Sequence, residues 1–122
     1  MRISDAELAV MEVLWAEPGL GAAQVAGRIS GRDWSDKTVK TLLARLVEKG
    51  ALRAEPDGRR YRYHPLVDRS EHRRSAVSRF ADNLFGGRAA PLVAHLAEVR
   101  ELTDDDIEEL EELVRRLKDD RE

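Results

Sequence analysis

From Lys37 to Arg62 the chain carries eight cationic side chains, Lys37, Lys40, Arg45, Lys49, Arg53, Arg59, Arg60 and Arg62, against three acids, Glu48, Glu55 and Asp57. This local charge of +5 lies in a chain of formal net charge −3, and its natural counterpart is the phosphate backbone of a nucleic acid. A solvated helix face beside a soluble hairpin is the plainer reading of such a charge run. Against it stands the company the cations keep. Thr38 and Thr41 supply hydroxyls and methyls, and Tyr61 and Tyr63 alternate with Arg60 and Arg62. The expected DNA contacts are Ser35, Lys37, Thr38, Lys40, Thr41 and Arg45, with Arg59, Arg60 and Arg62. The hydroxyls and Arg45 suit base edges or nearby phosphates, and the later arginines suit the backbone. Tyr61 and Tyr63 have two readings, contact with the nucleic acid and packing across a hairpin.

Two elements must present these groups. Val39, Leu42, Leu43, Leu46 and Val47 recur at helical spacing, so Lys37, Lys40, Thr41, Ala44, Arg45 and Glu48 face outwards. Ser35 predicts the N-cap and Gly50 the left-handed residue that ends this helix, and the capped amides suit a phosphate. Leu52 to Glu55, a turn at Pro56-Asp57-Gly58 and a second strand over Arg59 to His64 predict a hairpin. Upstream, Ser4 and Glu7 have capping-box spacing ahead of Leu8, Met11, Leu14 and Trp15, and Pro18-Gly19 closes that helix. Ala22, Val25, Ala26 and Ile29 predict a second helix from Gly21 to Ser30. Three helices followed by a basic hairpin are the order of a winged helix-turn-helix, whose third helix enters the major groove. Trp15 and Trp34 read as packing residues in that unit.

Beyond Pro65 the pattern is helical throughout. Ala76, Val77, Phe80, Ala81, Leu84 and Phe85 form one wide apolar face that ends at Gly86-Gly87. Pro91, at a first helical position, precedes Leu92, Val93, Leu96 and Ala97, and Thr103 with Asp106 caps a last helix striped by Ile107, Leu110, Leu113, Val114 and Leu117. Residues 1–66 carry a net +2 and residues 67–122 a net −5, so the acidic half belongs away from DNA. The reading is therefore mainly α: a winged helix-turn-helix domain with a small β-hairpin wing over residues 1–66, then a helical dimerisation region over 67–122. Short amphipathic helices after a complete small domain have little core of their own to enter. A second copy is expected to cover Val77, Phe80, Leu84, Leu96, Ile107, Leu110, Leu113 and Leu117, the alternative being docking on residues 1–66. A two-fold pair would present two recognition helices to a palindromic site.

At 122 residues, 42% of them apolar and 5% aromatic, the chain can build one domain or two small ones around an aliphatic core. It has no cysteine, which excludes disulfides and thiolate metal sites. No secretory segment or run of about 18 apolar residues is present, so a cytoplasmic protein without membrane contact is expected. No nucleophile-base pair, phosphate loop or metal motif is visible, and Asp68 with His72 reads as a surface pair. The chain is expected to be no enzyme and to need no cofactor or metal. The runner-up reading is a winged-helix protein-interaction module that binds no specific DNA and docks a basic protein on its acidic helices.

Three stretches resemble a known family, the penicillinase and methicillin-resistance repressors (BlaI/MecI-like) with their copper-responsive relatives. They are residues 35–46, Leu84-Phe85-Gly86-Gly87, and residues 102–110, and the likeness spans nearly the whole chain. The resemblance implies a homodimeric winged-helix transcriptional repressor whose third helix reads a palindromic double-stranded operator and whose C-terminal helices make the dimer. Two departures stand out. The copper-responsive branch uses a C-terminal cysteine cluster that this chain lacks. In the antibiotic-responsive branch a sensor protease cuts an Asn-Phe bond in the fifth helix, and the matching pair here is His95-Leu96. The operator sequence, the regulated genes and the inducing signal are not written in the chain.

Overall fold

Side-chain caps mark where most of the helices begin in the computed structural model, which describes residues 1–121. Ser4 starts α1 (Asp5–Ala16): its Oγ accepts the Glu7 amide at 3.1 Å, and Glu7 Oε1 accepts the Ser4 amide at 2.9 Å. α2 (Ala22–Arg28) is shorter than the predicted Gly21 to Ser30, because Ile29 already has extended backbone. α3 (Asp36–Glu48) is capped by Ser35, whose Oγ accepts the Thr38 amide at 3.2 Å. At its far end the Gly50 amide reaches Val47 O at 3.0 Å and the Ala51 amide reaches Leu46 O at 2.9 Å, satisfying carbonyls that the helix leaves free.

The hairpin differs from its sequence reading. β1 (Leu52–Asp57) pairs antiparallel with β2 (Arg60–Pro65), Asp57 opposite Arg60, so only Gly58 and Arg59 form the turn. Gly58 has φ +64 and Arg59 does not, the pattern of a type II′ connection whose twist suits paired strands. Pro56 and Asp57 therefore lie in the strand and not in a turn. The physical reason is register: counted from the Asp57–Arg60 pair, Pro56 and Pro65 both fall at positions whose amides point out of the ladder, so their missing N–H groups cost nothing. Tyr63 is at such a position too, and its outward amide donates to Leu20 O at 3.0 Å while its carbonyl accepts from Gly19 N at 2.8 Å. This isolated bridge ties Leu20 to the edge of the two-stranded sheet, and no periodicity announces it.

α4 (Arg69–Phe85), α5 (Ala89–Val99) and α6 (Asp104–Asp120) follow, the last capped by Thr103 with Asp106. Pro91 is the third residue of α5 and not its first, a shift without penalty because the first four amides of a helix have no intrahelical acceptor. The chain forms two compact units that divide after Arg74, further along than Leu66. The added residues hold to α1: Trp15 Nε1 donates to Val67 O at 2.8 Å, Arg69 pairs with Glu12 at 2.7 Å, and the His72 ring stands 5.8 Å from that of Trp15.

The core of the first unit is aliphatic, made of Val10, Met11, Leu14, Leu20, Val25, Val39, Leu42, Leu43, Leu46, Ala51 and Leu52. One charge is buried with it. Glu7 is 2% exposed and pairs with Lys49 at 2.6 Å, tying the start of α1 to the end of α3. Burial alone would raise the Glu7 pKa, but the bonds from Lys49 and Ser4 and the Lys49 charge outweigh it and hold the carboxyl below its ordinary value. The associated stability is complete above the ordinary carboxylate range and is lost as pH falls through the lowered folded value. Glu7→Gln is expected to cost about 1–3 kcal/mol at neutral pH, with the gap to the wild type closing below about pH 4. Urea unfolding across that range checks this, and an equal gap at both ends would assign the loss to packing.

Candidate nucleic-acid interface

Because Val39, Leu42, Leu43 and Leu46 are buried, α3 turns Lys37, Lys40, Thr41, Ala44, Arg45 and Glu48 to solvent. Its hydroxyls are partly committed. Ser35 Oγ lies 3.1 Å from Thr38 Oγ1, so one of the two supplies the proton between them and the proton of the other remains available to an outside acceptor. Thr41 Oγ1 donates to Lys37 O at 3.1 Å, which leaves it a methyl and acceptor lone pairs to present. No carboxylate is within ion-pair reach of Lys37, Lys40 or Arg45 among the described residues, whereas Lys49, counted in the same charge run, is held by Glu7 and Arg2 O.

Across the hairpin the side chains alternate as strand geometry requires. Tyr61, Tyr63 and Pro65 share one face, Tyr63 packing against the core, and Arg60, Arg62 and His64 share the other. Burial raises the Tyr63 pKa, with the nearby Tyr61 adding to the shift, so its hydroxyl stays protonated well beyond neutral pH. Near the base of the wing, Glu55 neutralises Arg53 at 3.2 Å and stands 3.3 Å from His64 Nε2. At the tip, Arg59 and Arg60 are exposed and unpaired among the described residues. Arg62 is different: its Nε donates to Gly19 O at 3.0 Å. An open groove runs between the first turns of α2 and α3 and the wing, lined by Gln24, Asp36, Lys40, Arg59, Arg60 and Tyr61 among others. The structure thus brings Lys40 of α3 and the wing-tip arginines to one cleft, which spacing in the sequence could not show.

In the second unit Val77, Phe80, Leu84, Leu96, Ile107, Leu113 and Leu117 are all exposed, and Leu110 is half-buried. His95 and Leu96 lie within α5, where the His95 ring approaches that of Phe85 at 5.7 Å. Trp15 and Trp34 pack against the core of the first unit, Trp34 also under the Arg32 guanidinium at 4.7 Å. Asp68 and His72 are used locally: the Asp68 carboxylate accepts the Glu71 amide at 3.4 Å. Among the described residues no group of three His, Cys, Asp or Glu stands close enough to hold a metal ion, and no helix is long and apolar enough to cross a membrane.

The family model described as penicillinase repressor matches residues 3–116. The penicillinase repressor of Bacillus licheniformis is 33% identical over 114 residues, covering 93% of this chain and 89% of its own length. The methicillin resistance regulatory protein MecI of Mammaliicoccus sciuri is 33% identical over 113 residues, 92% of each chain. The solution structure of the DNA-binding domain of the repressor BlaI matches with a TM-score of 0.51 and 42% identity, over 57% of this chain and 87% of that one.

The start of α3 can be tested apart from any ligand. Ser35→Ala is expected to lower stability by about 1 kcal/mol through loss of the cap, while Ser35→Asp retains it, since a carboxylate oxygen accepts the same amide. Thermal and urea unfolding of both variants check this. Equal stability of the alanine variant and the wild type would show that the cap contributes nothing.

Proposed function

The chain belongs to the penicillinase repressor family and is a DNA-binding transcriptional repressor, and we propose that it works in the cytoplasm as a homodimer on palindromic double-stranded operator DNA. The observation that carries the reading is the set of exposed cations without ion-pair partners among the described residues, Lys37, Lys40, Arg45, Arg59 and Arg60, placed on the outward face of α3 and at the wing tip. Cations inside a protein's own ion-pair network have already spent their charge, whereas these five remain free for phosphate. Lys37 and Lys40, beside the capped amides at the start of α3, hold the backbone while Thr41 and Arg45 reach base edges. Thr41 reads as an acceptor or through its methyl, because its own proton goes to Lys37 O.

The dimer rests on a separate observation: no residue of α4, α5 or α6 is buried, and their apolar stripes face solvent. Covering one such Leu or Phe is worth about 1.5–3 kcal/mol, and a two-fold copy can cover several at once. At His95-Leu96 a protease built for Asn-Phe would lose the amide's hydrogen bonds and the aromatic's volume. The proposed partners are accordingly operator DNA and a second copy, with no cleavage at that bond by a protease of Asn-Phe specificity.

The operator can be selected by the wild-type protein from a random-sequence duplex pool. On it, Arg60→Ala is expected to flatten the slope of log K against log salt by roughly 1.8 per dimer, at about 0.9 per lost phosphate contact. Sequence discrimination should survive. Thr41→Ala should leave the slope nearly fixed and reduce discrimination against altered sites by about 1–3 kcal/mol. If neither change alters binding, the docking is wrong. Leu113→Asp, which puts a charge into the α6 stripe, should yield a monomer in sedimentation with weakened binding to the full palindrome; an unchanged mass would remove Leu113 from the interface.

A further inference from the structure

We propose that Arg62 is a positioning residue that locks the wing onto the α1–α2 connection and does not itself contact phosphate, an inference that rests on the DNA-binding reading above. Four observations converge on it. Arg62 Nε donates to Gly19 O at 3.0 Å, although the side chain lies at the surface. Gly19 N donates to Tyr63 O at 2.8 Å, and Tyr63 N donates to Leu20 O at 3.0 Å, so the same two loop residues are bound by the backbone next to Arg62. Gly19 has φ +86, a conformation that side chains with a Cβ rarely adopt. A Cβ there would also stand 3.1 Å from Arg62 Nη2 and 3.3 Å from His64 Cε1, so a side chain at Gly19 would be strained by its backbone and would crowd the guanidinium lying over it.

An isolated two-stranded hairpin is marginally stable in water. Its tip can hold Arg59 and Arg60 beside a DNA backbone only if its base is fixed to the body that carries α3. Gly19 and Leu20 follow α1 and precede α2, which both pack on α3, so the Arg62–Gly19 bond connects the wing to that body. The guanidinium suits the task because Nε points in a fixed direction from a planar group, which the freely rotating ammonium of lysine does not reproduce.

The test has one arm without DNA and one with it. In the DNA-free protein, hydrogen exchange at the Gly19 and Tyr63 amides should speed up about tenfold in Arg62→Ala and stay unchanged in Arg60→Ala. Unchanged exchange in Arg62→Ala would overturn the proposal whether or not the protein binds DNA. On the selected operator, Arg62→Ala should weaken binding about tenfold with the salt slope nearly as in the wild type. Arg62→Lys should fail to rescue it, and Gly19→Ala, which removes no charge, should weaken binding similarly. A slope flattened by roughly 1.8 per dimer in Arg62→Ala, with recovery in Arg62→Lys, would make Arg62 a phosphate contact and overturn the assignment. If the wild type selects no operator, the DNA-binding reading fails while the exchange arm still decides the role of Arg62.

Discussion

Burying Val39, Leu42, Leu43 and Leu46 against Val10, Met11, Leu14 and Val25 fixes the rotation of α3 about its own axis, and the character of its outward surface follows from that rotation. Four such side chains contribute about 1.5–3 kcal/mol each, whereas an exposed ion pair is worth about 0–1 kcal/mol. Charge therefore has little say in how the helix is turned. It is free to be arranged for a partner, which is why Lys37, Lys40 and Arg45 can stand without an ion pair among the described residues at no structural cost.

The cations that do have partners are the ones the fold consumes. Lys49 closes on buried Glu7, and Arg53 closes on Glu55. Their difference from the unpaired set is one of position. Lys49 is at the end of α3 that meets α1, and Arg53 is at the base of the wing, whereas Lys37, Lys40, Arg59 and Arg60 border the groove or lie beside it. A charge count over residues 37–62 treats all eight as equivalent, and only contact geometry separates those that hold the protein from those without an ion-pair partner among the described residues.

What could be read from the chain was local. Ser4, Ser35 and Thr103 announced their helices because a cap acts within three residues, and the stripe on α3 repeats within one helix. Gly50 was legible for the same reason. Most of the features not read correctly depend on pairing between separate elements. Pro56 belongs to a strand because of its register with Tyr61, the Leu20–Tyr63 bridge joins residues far apart in the chain, and Glu7 finds Lys49 across most of the first unit. Pro18-Gly19 looked like a helix stop and nothing more. Nothing in its spacing from Arg62 distinguishes a latch from a coincidence, and the only sequence signal was a glycine whose conformational freedom had no stated use.

The second unit inverts this relation between local and distant information. Its helices carry local signals, apolar stripes throughout and a capping box on α6, yet none of their residues is buried. The acids in the first turn of α6 complement the helix dipole by about 0.3–1 kcal/mol each, too little to hold an amphipathic helix whose stability ordinarily comes from packing its apolar face. The missing term is cover for that apolar face. If the proposed second copy supplies it, folding of this unit, dimerisation and operator occupancy share one dependence on protomer concentration. A change that loosens the α6 stripe would then lower repression without touching a single group that meets DNA.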